Sequence, residues 1–493
     1  MTSPLAFAIG GLVSTYVFLR LLLHYTQDGK EPPVVATTIP FISPILGMAK
    51  KKTHFYAHIR DKFGLPIYTL RMPGTRIYVV NSTTLITAVQ RQPTILAFPP
   101  IETKAAINVM GASEAGKEML LQNTDPNEGN LDKSYEAAYS KAIHPVMSLG
   151  ADLDSMSRAA IKSIADSLNG LARNTPQVLE LFDWVRHEVS SSTAESVYGP
   201  MNPFRDSAIE AAFWRFGPGV ITLMINIFPS VLARESLKAR ELMVEAFDQY
   251  FRNGGHKQGS ALIRARYDYS MKYNVSMSDL VRFEIGGAVA IFANTGPAAF
   301  WLIYHIFSDP IILDEIRSEV SKIVVHENNG ATIDISDVKT SCPILLSTFQ
   351  EVLRFQSIGT SARVVMEDHM LDGKYLLKKG GTVMIPGTVQ HTIPSVWGDN
   401  VSSFDHKRFV RSGSKKRPNP VAFRGFGGGT TLCPGRHFAS TEILAFATLM
   451  VLRFEIIPVG GKWSCPTTEK AEMWATVPQP DMDIVVEVKP RKE

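Results

Sequence analysis

Residues Ala422–Ala439, AFRGFGGGTTLCPGRHFA, set one cysteine, Cys433, among glycines just ahead of an apolar run from Phe438 to Leu452. Gly427, Gly428, Gly429 and Gly435 permit a tight turn and let a flat partner approach the backbone closely. The apolar run reads as a helix with a face to bury. A cysteine at such a helix start meets free backbone N–H groups and the positive end of the helix dipole, which favour the thiolate. Taken alone, the same cysteine also fits a small buried hydrophobe. Gly425–Gly429 taken alone fits a phosphate loop, but no Gly-Lys-Ser/Thr ending and no dinucleotide-type spacing follows it.

A soft thiolate beside a closely approached planar surface suits an axial ligand of haem iron, where sulfur pushes electron density onto the metal. The spacing Phe426-x-x-Gly429-x-x-x-Cys433-x-Gly435-x-x-x-Ala439 resembles the haem-binding loop of the cytochrome P450 family. The resemblance covers most of the chain. It implies a mainly α fold with small β-sheets and haem (iron protoporphyrin IX) as cofactor. Cys433 would be the iron ligand, with Phe426, Gly429 and Gly435 around the cofactor.

Composition is consistent with this and excludes other classes. The chain has 493 residues and a formal charge of +4, so no global basicity points to nucleic acid. Lys50-Lys51-Lys52 and Lys415-Lys416-Arg417 are short local clusters. Three cysteines exclude a disulfide scaffold and fit a reducing compartment. Cys342 and Cys465 have no metal-type spacing and read as small buried hydrophobes.

Pro4 to Leu23, PLAFAIGGLVSTYVFLRLLL, is long and apolar enough to span a bilayer, with Arg20 near its end able to reach an interface. A signal peptide is the rival, but no positive charge precedes the run and no clear cleavage site follows promptly. Lys30 and Lys50–Lys52 follow the segment, which keeps the body on the cytosolic side. We expect an anchor over residues 1–26. A stiff, extended connector should occupy 27–48, where Pro32, Pro33, Pro40 and Pro44 oppose a helix. The haem-thiolate body is expected over 49–493. Microsomal members of the family resemble this arrangement, which implies the endoplasmic reticulum membrane, a single pass and a cytosolic catalytic domain.

Pro66–Met72 and Thr75–Val80 read as two strands around a Pro-Gly turn. Helical periodicity appears over Tyr135–Val146, Leu153–Leu171, Leu237–Phe251 and Pro310–Val325, and a terminal strand over Met482–Val488. Phe283–Phe307, FEIGGAVAIFANTGPAAFWLIYHIF, is apolar nearly all round and reads as a central buried helix or a second membrane span. Pro297 in its interior has no N–H for the carbonyl of Ala293 and should kink it, leaving a groove beside Asn294 and Thr295.

Glu351 and Arg354 lie three apart on LLSTFQEVLRF and so share a helix face. With Arg408 they resemble the family's Glu-x-x-Arg helix and later arginine, a structural clamp behind the haem loop. Arg363 resembles the arginine that meets a haem carboxylate in relatives, a task its planar fork suits. Substrate contacts implied by the family layout come from Phe98–Met110, the central helix, Ile358–Ser361 and Met473–Val477, mainly apolar stretches.

In the family the central helix crosses the distal haem face, usually with an acid followed by an alcohol. Gly296 and Pro297 stand there instead, so Asn294, with Thr295, would take over part of the proton relay. The pattern resembles the branch holding the sterol 7α-hydroxylases and prostacyclin synthase, and fungal secondary-metabolism members. Two further departures are Thr431 in place of a basic residue and no Trp-x-x-x-Arg near Asp132–Met147. Lys133, Lys141 or His144 are the remaining candidates for the haem carboxylates. The implied activity is a monooxygenase that oxidises a lipophilic sterol, terpenoid, polyketide or alkaloid. It would use dioxygen and electrons from NADPH–cytochrome P450 reductase, since the chain carries no flavin or NADPH module. The alternative is an isomerase or dehydratase that rearranges a substrate peroxide without dioxygen or reductase.

Overall fold

Tyrosine and β-branched residues make strands of Ile67–Met72 and Thr75–Val80, paired antiparallel with Leu70 opposite Ile77. A computed structural model of the chain describes residues 4–124, 133–174, 176–327, 330–411 and 418–491. The Lys415–Arg417 cluster lies outside these described residues. The hairpin forms one side of a five-stranded sheet, continued by Thr382–Pro386, Thr360–Val365 and Leu96–Ala97. Its register puts Val383 opposite Arg363, which fixes where that guanidinium leaves the sheet. A second sheet joins Phe454–Pro458, Val485–Pro490 and Gln177–Glu180. The terminal strand starts later than the alternation suggests. Asp483 is committed instead to accepting from the N–H groups of Phe182 and Asp183, at 2.7 and 2.8 Å, capping the helix Leu181–Tyr198.

The body is helical, as the periodicity indicates, over Tyr135–Met147, Ala151–Arg173 and Arg234–Arg252. Pro310–Ser321 stops short of Val325, which opens a short strand, Val325–Glu327. Cys342 is buried as expected, but Cys465 is exposed, because its segment forms neither helix nor strand and packs little around it.

The Phe283–Phe307 run is two helices, Met277–Phe292 and Thr295–Phe307, divided at Ala293–Asn294. The break falls one turn before Pro297, where the proline cannot donate. Phe300, Trp301, Leu302 and Ile303 are fully buried, and Trp301 Nε1 donates to the Pro478 carbonyl at 2.8 Å. This segment packs against Leu181–Tyr198, Pro343–Gln356 and Arg436–Arg453. It is the core of the body, although its length and composition would suit a membrane span.

Phe7–Thr26, within the helix Pro4–Thr26, is the opposite case, a 20-residue apolar stretch that is almost entirely exposed. Arg20 Nε donates to Tyr16 Oη within it at 2.8 Å. The connector is extended only in part. Thr69 Oγ1 donates to the Pro32 carbonyl at 2.8 Å, laying that stretch along the sheet, but Ser43–Lys51 is an α-helix. Pro44 sits in the first turn of that helix, where a missing N–H costs nothing.

If Pro297 causes the break, Pro297→Ala supplies the missing donor to Ala293 and joins the two helices. Amide exchange over residues 293–298 should then slow by about tenfold, one hydrogen bond's worth of protection. Unchanged exchange would assign the break to the tertiary contacts of Asn294 instead.

Candidate active site

The cysteine loop is built by close approaches that exclude side chains. Gly427 and Gly429 have φ of 76° and 63°, the left-handed region. A Cβ on Gly427 would lie 2.9 Å from the Thr431 carbonyl oxygen, and one on Gly429 2.8 Å from Gln90. Cys433 N–H donates to the Phe426 carbonyl at 2.9 Å, closing the loop. The phenyl ring of Phe426 packs on Phe349 of the helix Pro343–Gln356, and Gly425 abuts Leu353 of the same helix.

Arg436–Arg453 follows the loop as the apolar run suggests. The helix start does not by itself make Cys433 a thiolate. Burial pushes the thiol above its ordinary value, and the N–H groups of Gly435 and Arg436 and the Arg436 charge only oppose this. A bound metal ion is what deprotonates such a thiol outright.

Behind the loop, Glu351 is fully buried and grips two arginines. Arg354 donates through Nε and Nη2 to its two oxygens at 2.7 and 2.6 Å, and Arg408 Nε donates to both at 3.0 Å. One negative and two positive charges leave an excess cation. Backbone carbonyls absorb it: His391 and Val401 accept from Arg354, while Trp397, Asn400 and Ser403 accept from Arg408. The expected Glu351–Arg354–Arg408 constellation is therefore assembled, and it cross-links the helix to the 391–408 segment.

A cavity of about 580 Å³ opens over the loop, with Leu432 and Pro434 on either side of Cys433 in its wall. Gly286, Gly287 and Ala290, small residues of the helix Met277–Phe292, also line the cavity. Arg363 also faces the cavity and is 4% exposed. It donates only to the Ala362 carbonyl and Thr431 Oγ1, and burial pushes its pKa down to about 10. Arg424, buried beside it, donates to Ser361 Oγ and is likewise pushed down to about 10, by burial and then by Arg363. Neither has a carboxylate within ion-pair distance among the described residues. A sulfur ligand, a small-residue wall and two buried cations lacking counter-ions fit haem, a flat iron porphyrin with two carboxylates.

The cavity is less apolar than its sequence suggests. Phe98, Ile101, Met110 and Phe283 line it, but so do Glu102 and Glu136. Burial pushes these carboxyls up to about 7 and about 8; Arg363 opposes the shift at Glu102, and Glu102 adds to that at Glu136. His144 reaches the wall, whereas Lys133 and Lys141 do not. Ser361 lines the cavity, but the terminal turn Met473–Val477 does not.

Asn294 and Thr295 are not brought to the wall either. Asn294 Oδ1 accepts from the N–H groups of Thr476 and Val477 at 2.7 and 3.0 Å, and Thr295 Oγ1 donates to the Ile291 carbonyl at 2.7 Å. The helix break turns them toward protein partners, so neither occupies a relay position facing the cavity. Arg424, His391 and the two glutamates were not singled out by sequence. Only Arg424, two residues before Phe426 in the decisive run, carried a local signal.

A model of the cytochrome P450 family matches residues 222–484. The cytochrome P450 monooxygenase nodJ of Hypoxylon pulicicidum is 35% identical over 96% of this chain and 93% of its own length. The cholesterol 7-alpha-monooxygenase of Cricetulus griseus is 22% identical over 98% of both chains. Among solved structures, the haem domain of cytochrome P450DA superposes with a TM-score of 0.68 at 17% identity, covering 90% of this chain and 94% of that one.

Glu351→Ala would leave two buried guanidiniums without their carboxylate, at a cost of roughly 3–5 kcal/mol. Urea denaturation should show this as a lowered midpoint, and a midpoint equal to that of the unaltered protein would contradict the clamp.

Proposed function

Because this chain belongs to the cytochrome P450 family and has haem iron as its cofactor, we propose that it is a membrane-anchored monooxygenase of a lipophilic secondary metabolite. The cavity between the Cys433 loop and the Gly286–Ala290 wall is the observation that carries this reading. In it, Cys433 would hold the iron and Arg363 and Arg424 the porphyrin carboxylates, with Thr431 orienting Arg363. The group they hold would supply dioxygen activation when bound. Phe98, Ile101, Met110 and Phe283 would press an apolar skeleton toward it and keep water out. Asn294 positions the terminal turn rather than relaying protons. A fungal relative spanning nearly the whole chain supports a role in fungal secondary metabolism.

Residues 1–26 would anchor the body, with 27–48 as connector and 49–493 as the catalytic domain. A second apolar surface supports membrane contact. Ile45 and Leu46 of the helix Ser43–Lys51 are exposed, as are Ile225, Phe228 and Val231. Lys52 Nζ, beside the first of these, donates to the Glu469 carbonyl at 2.8 Å. Lys50–Lys52 beside that surface suit anionic lipid headgroups. This arrangement supports attachment to the endoplasmic reticulum with the body in the cytosol. Electrons would come from NADPH–cytochrome P450 reductase.

Screening sterols, terpenoids, polyketides and alkaloids for a substrate-induced shift of the haem absorption identifies a ligand to test. Its turnover by the purified protein with reductase should require both NADPH and dioxygen. Turnover under anaerobic conditions without NADPH would overturn the proposal and assign the peroxide-isomerase reading.

A further inference from the structure

His391 lies in VQHTIPSVW, outside every motif the sequence analysis used. It is 1% exposed and bonded in two directions. Its carbonyl accepts from Arg354 Nη1 at 2.9 Å, which places it on the Glu351 cluster. Its Nε2 accepts from the backbone N–H of Arg424 at 2.8 Å, which places it near the start of the cysteine loop, two residues before Phe426. Beyond Arg424 the bonding continues: Gly427 N–H donates to the Arg424 carbonyl at 3.0 Å, and Cys433 N–H to the Phe426 carbonyl at 2.9 Å. Phe423 and Trp397 hold the ring, with centroids 5.9 and 6.3 Å away.

A backbone N–H can only donate, so Nε2 must carry a lone pair and the proton must sit on Nδ1. Burial, with Arg354 and Arg424 nearby, pushes the imidazole down to about 3, which keeps the ring neutral across the working pH range. An arginine or lysine at this position has no acceptor, and an aliphatic residue leaves the Arg424 N–H buried and unpaired.

We propose that His391 is the positioning residue that couples the Glu351–Arg354–Arg408 clamp to the iron-ligating loop. The clamp holds the histidine backbone, and the imidazole holds the loop. By fixing Arg424 it also sets the guanidinium that bonds Ser361, two residues from Arg363, so one side chain aligns the sulfur and the cationic edge of the cofactor site. This rests on the cofactor assignment above.

The test compares His391→Leu, which keeps bulk without an acceptor, with His391→Gln, which restores an acceptor at similar reach. Both are made in the full-length holoprotein. The clamp bonds the backbone of residue 391 and so survives in both variants, but only His391→Leu leaves the Arg424 N–H unpaired. Its urea unfolding midpoint should fall below that of His391→Gln, and the haem readouts are compared under conditions where both remain folded. The ferrous carbon monoxide spectrum distinguishes thiolate from thiol ligation, and transfer of haem to an excess of apomyoglobin measures release. His391→Leu should lose most of the thiolate form and release haem about tenfold faster or more, the usual cost of removing a group that orients a metal ligand. His391→Gln should recover most of both.

Equal impairment of the two variants, or none in His391→Leu, would overturn the proposal. Should His391→Leu not fold, nitrogen-15 histidine spectra of the unaltered carbon monoxide complex decide. An Nδ1–H tautomer unchanged between pH 6 and 9 supports the coupling, whereas an Nε2–H tautomer or titration in that range overturns it. Failure of the cofactor assignment itself would look different, with no haem absorption in any of the proteins.

Discussion

A thiol enclosed by protein resists ionisation, and the arrangement around Cys433 follows from that constraint. Burial favours the neutral form, and the helix N-terminus behind the sulfur offsets this only in part. A metal cation bonded to sulfur removes the conflict, so the loop is complete electrostatically only with its cofactor. The same holds at the cofactor's edge. Arg363 and Arg424 are cations whose pKa values fall through burial, and among the described residues neither has a carboxylate within ion-pair distance. Apart from the cofactor, the site is short of one cation at the sulfur and of anions at the arginines.

Holding such a site requires a rigid frame, and the frame is also charged. Glu351 binds Arg354 and Arg408, while carbonyls of the 391–403 segment take up the excess positive charge. This cluster touches no reacting atom. Its effect passes through the packing of Phe426 on Phe349 and through the backbone of the loop. The break at Ala293–Asn294 divides a long apolar run into a half that lines the cavity and a half that is largely buried in the core.

What was legible in the sequence depended on how local the cause is. Cys433, Gly427 and Gly429 announce themselves because tight turns and close approach demand glycine at fixed spacing. Glu351 and Arg354 share a helix face by simple periodicity, and Pro297 breaks its helix through its own chemistry. The Ser43–Lys51 helix was missed because proline density reads as extended, whereas a proline in the first turn is compatible with a helix. The hydrogen bonds of Asn294 were not legible because its partners, Thr476 and Val477, lie 182 and 183 residues away, and nothing in the residue's own neighbourhood names them. Glu102 and Glu136 meet across a cavity that only the tertiary fold creates. His391 was invisible for the same reason, since one side chain bridges two elements far apart in the chain.

The ferrous carbon monoxide spectrum of the purified protein, beside that of Cys433→Ala, measures the central claim most directly. The account predicts a thiolate-type absorption in the unaltered protein that vanishes in the variant. A colourless protein after expression with ample haem, or an unchanged spectrum without the sulfur, would contradict it.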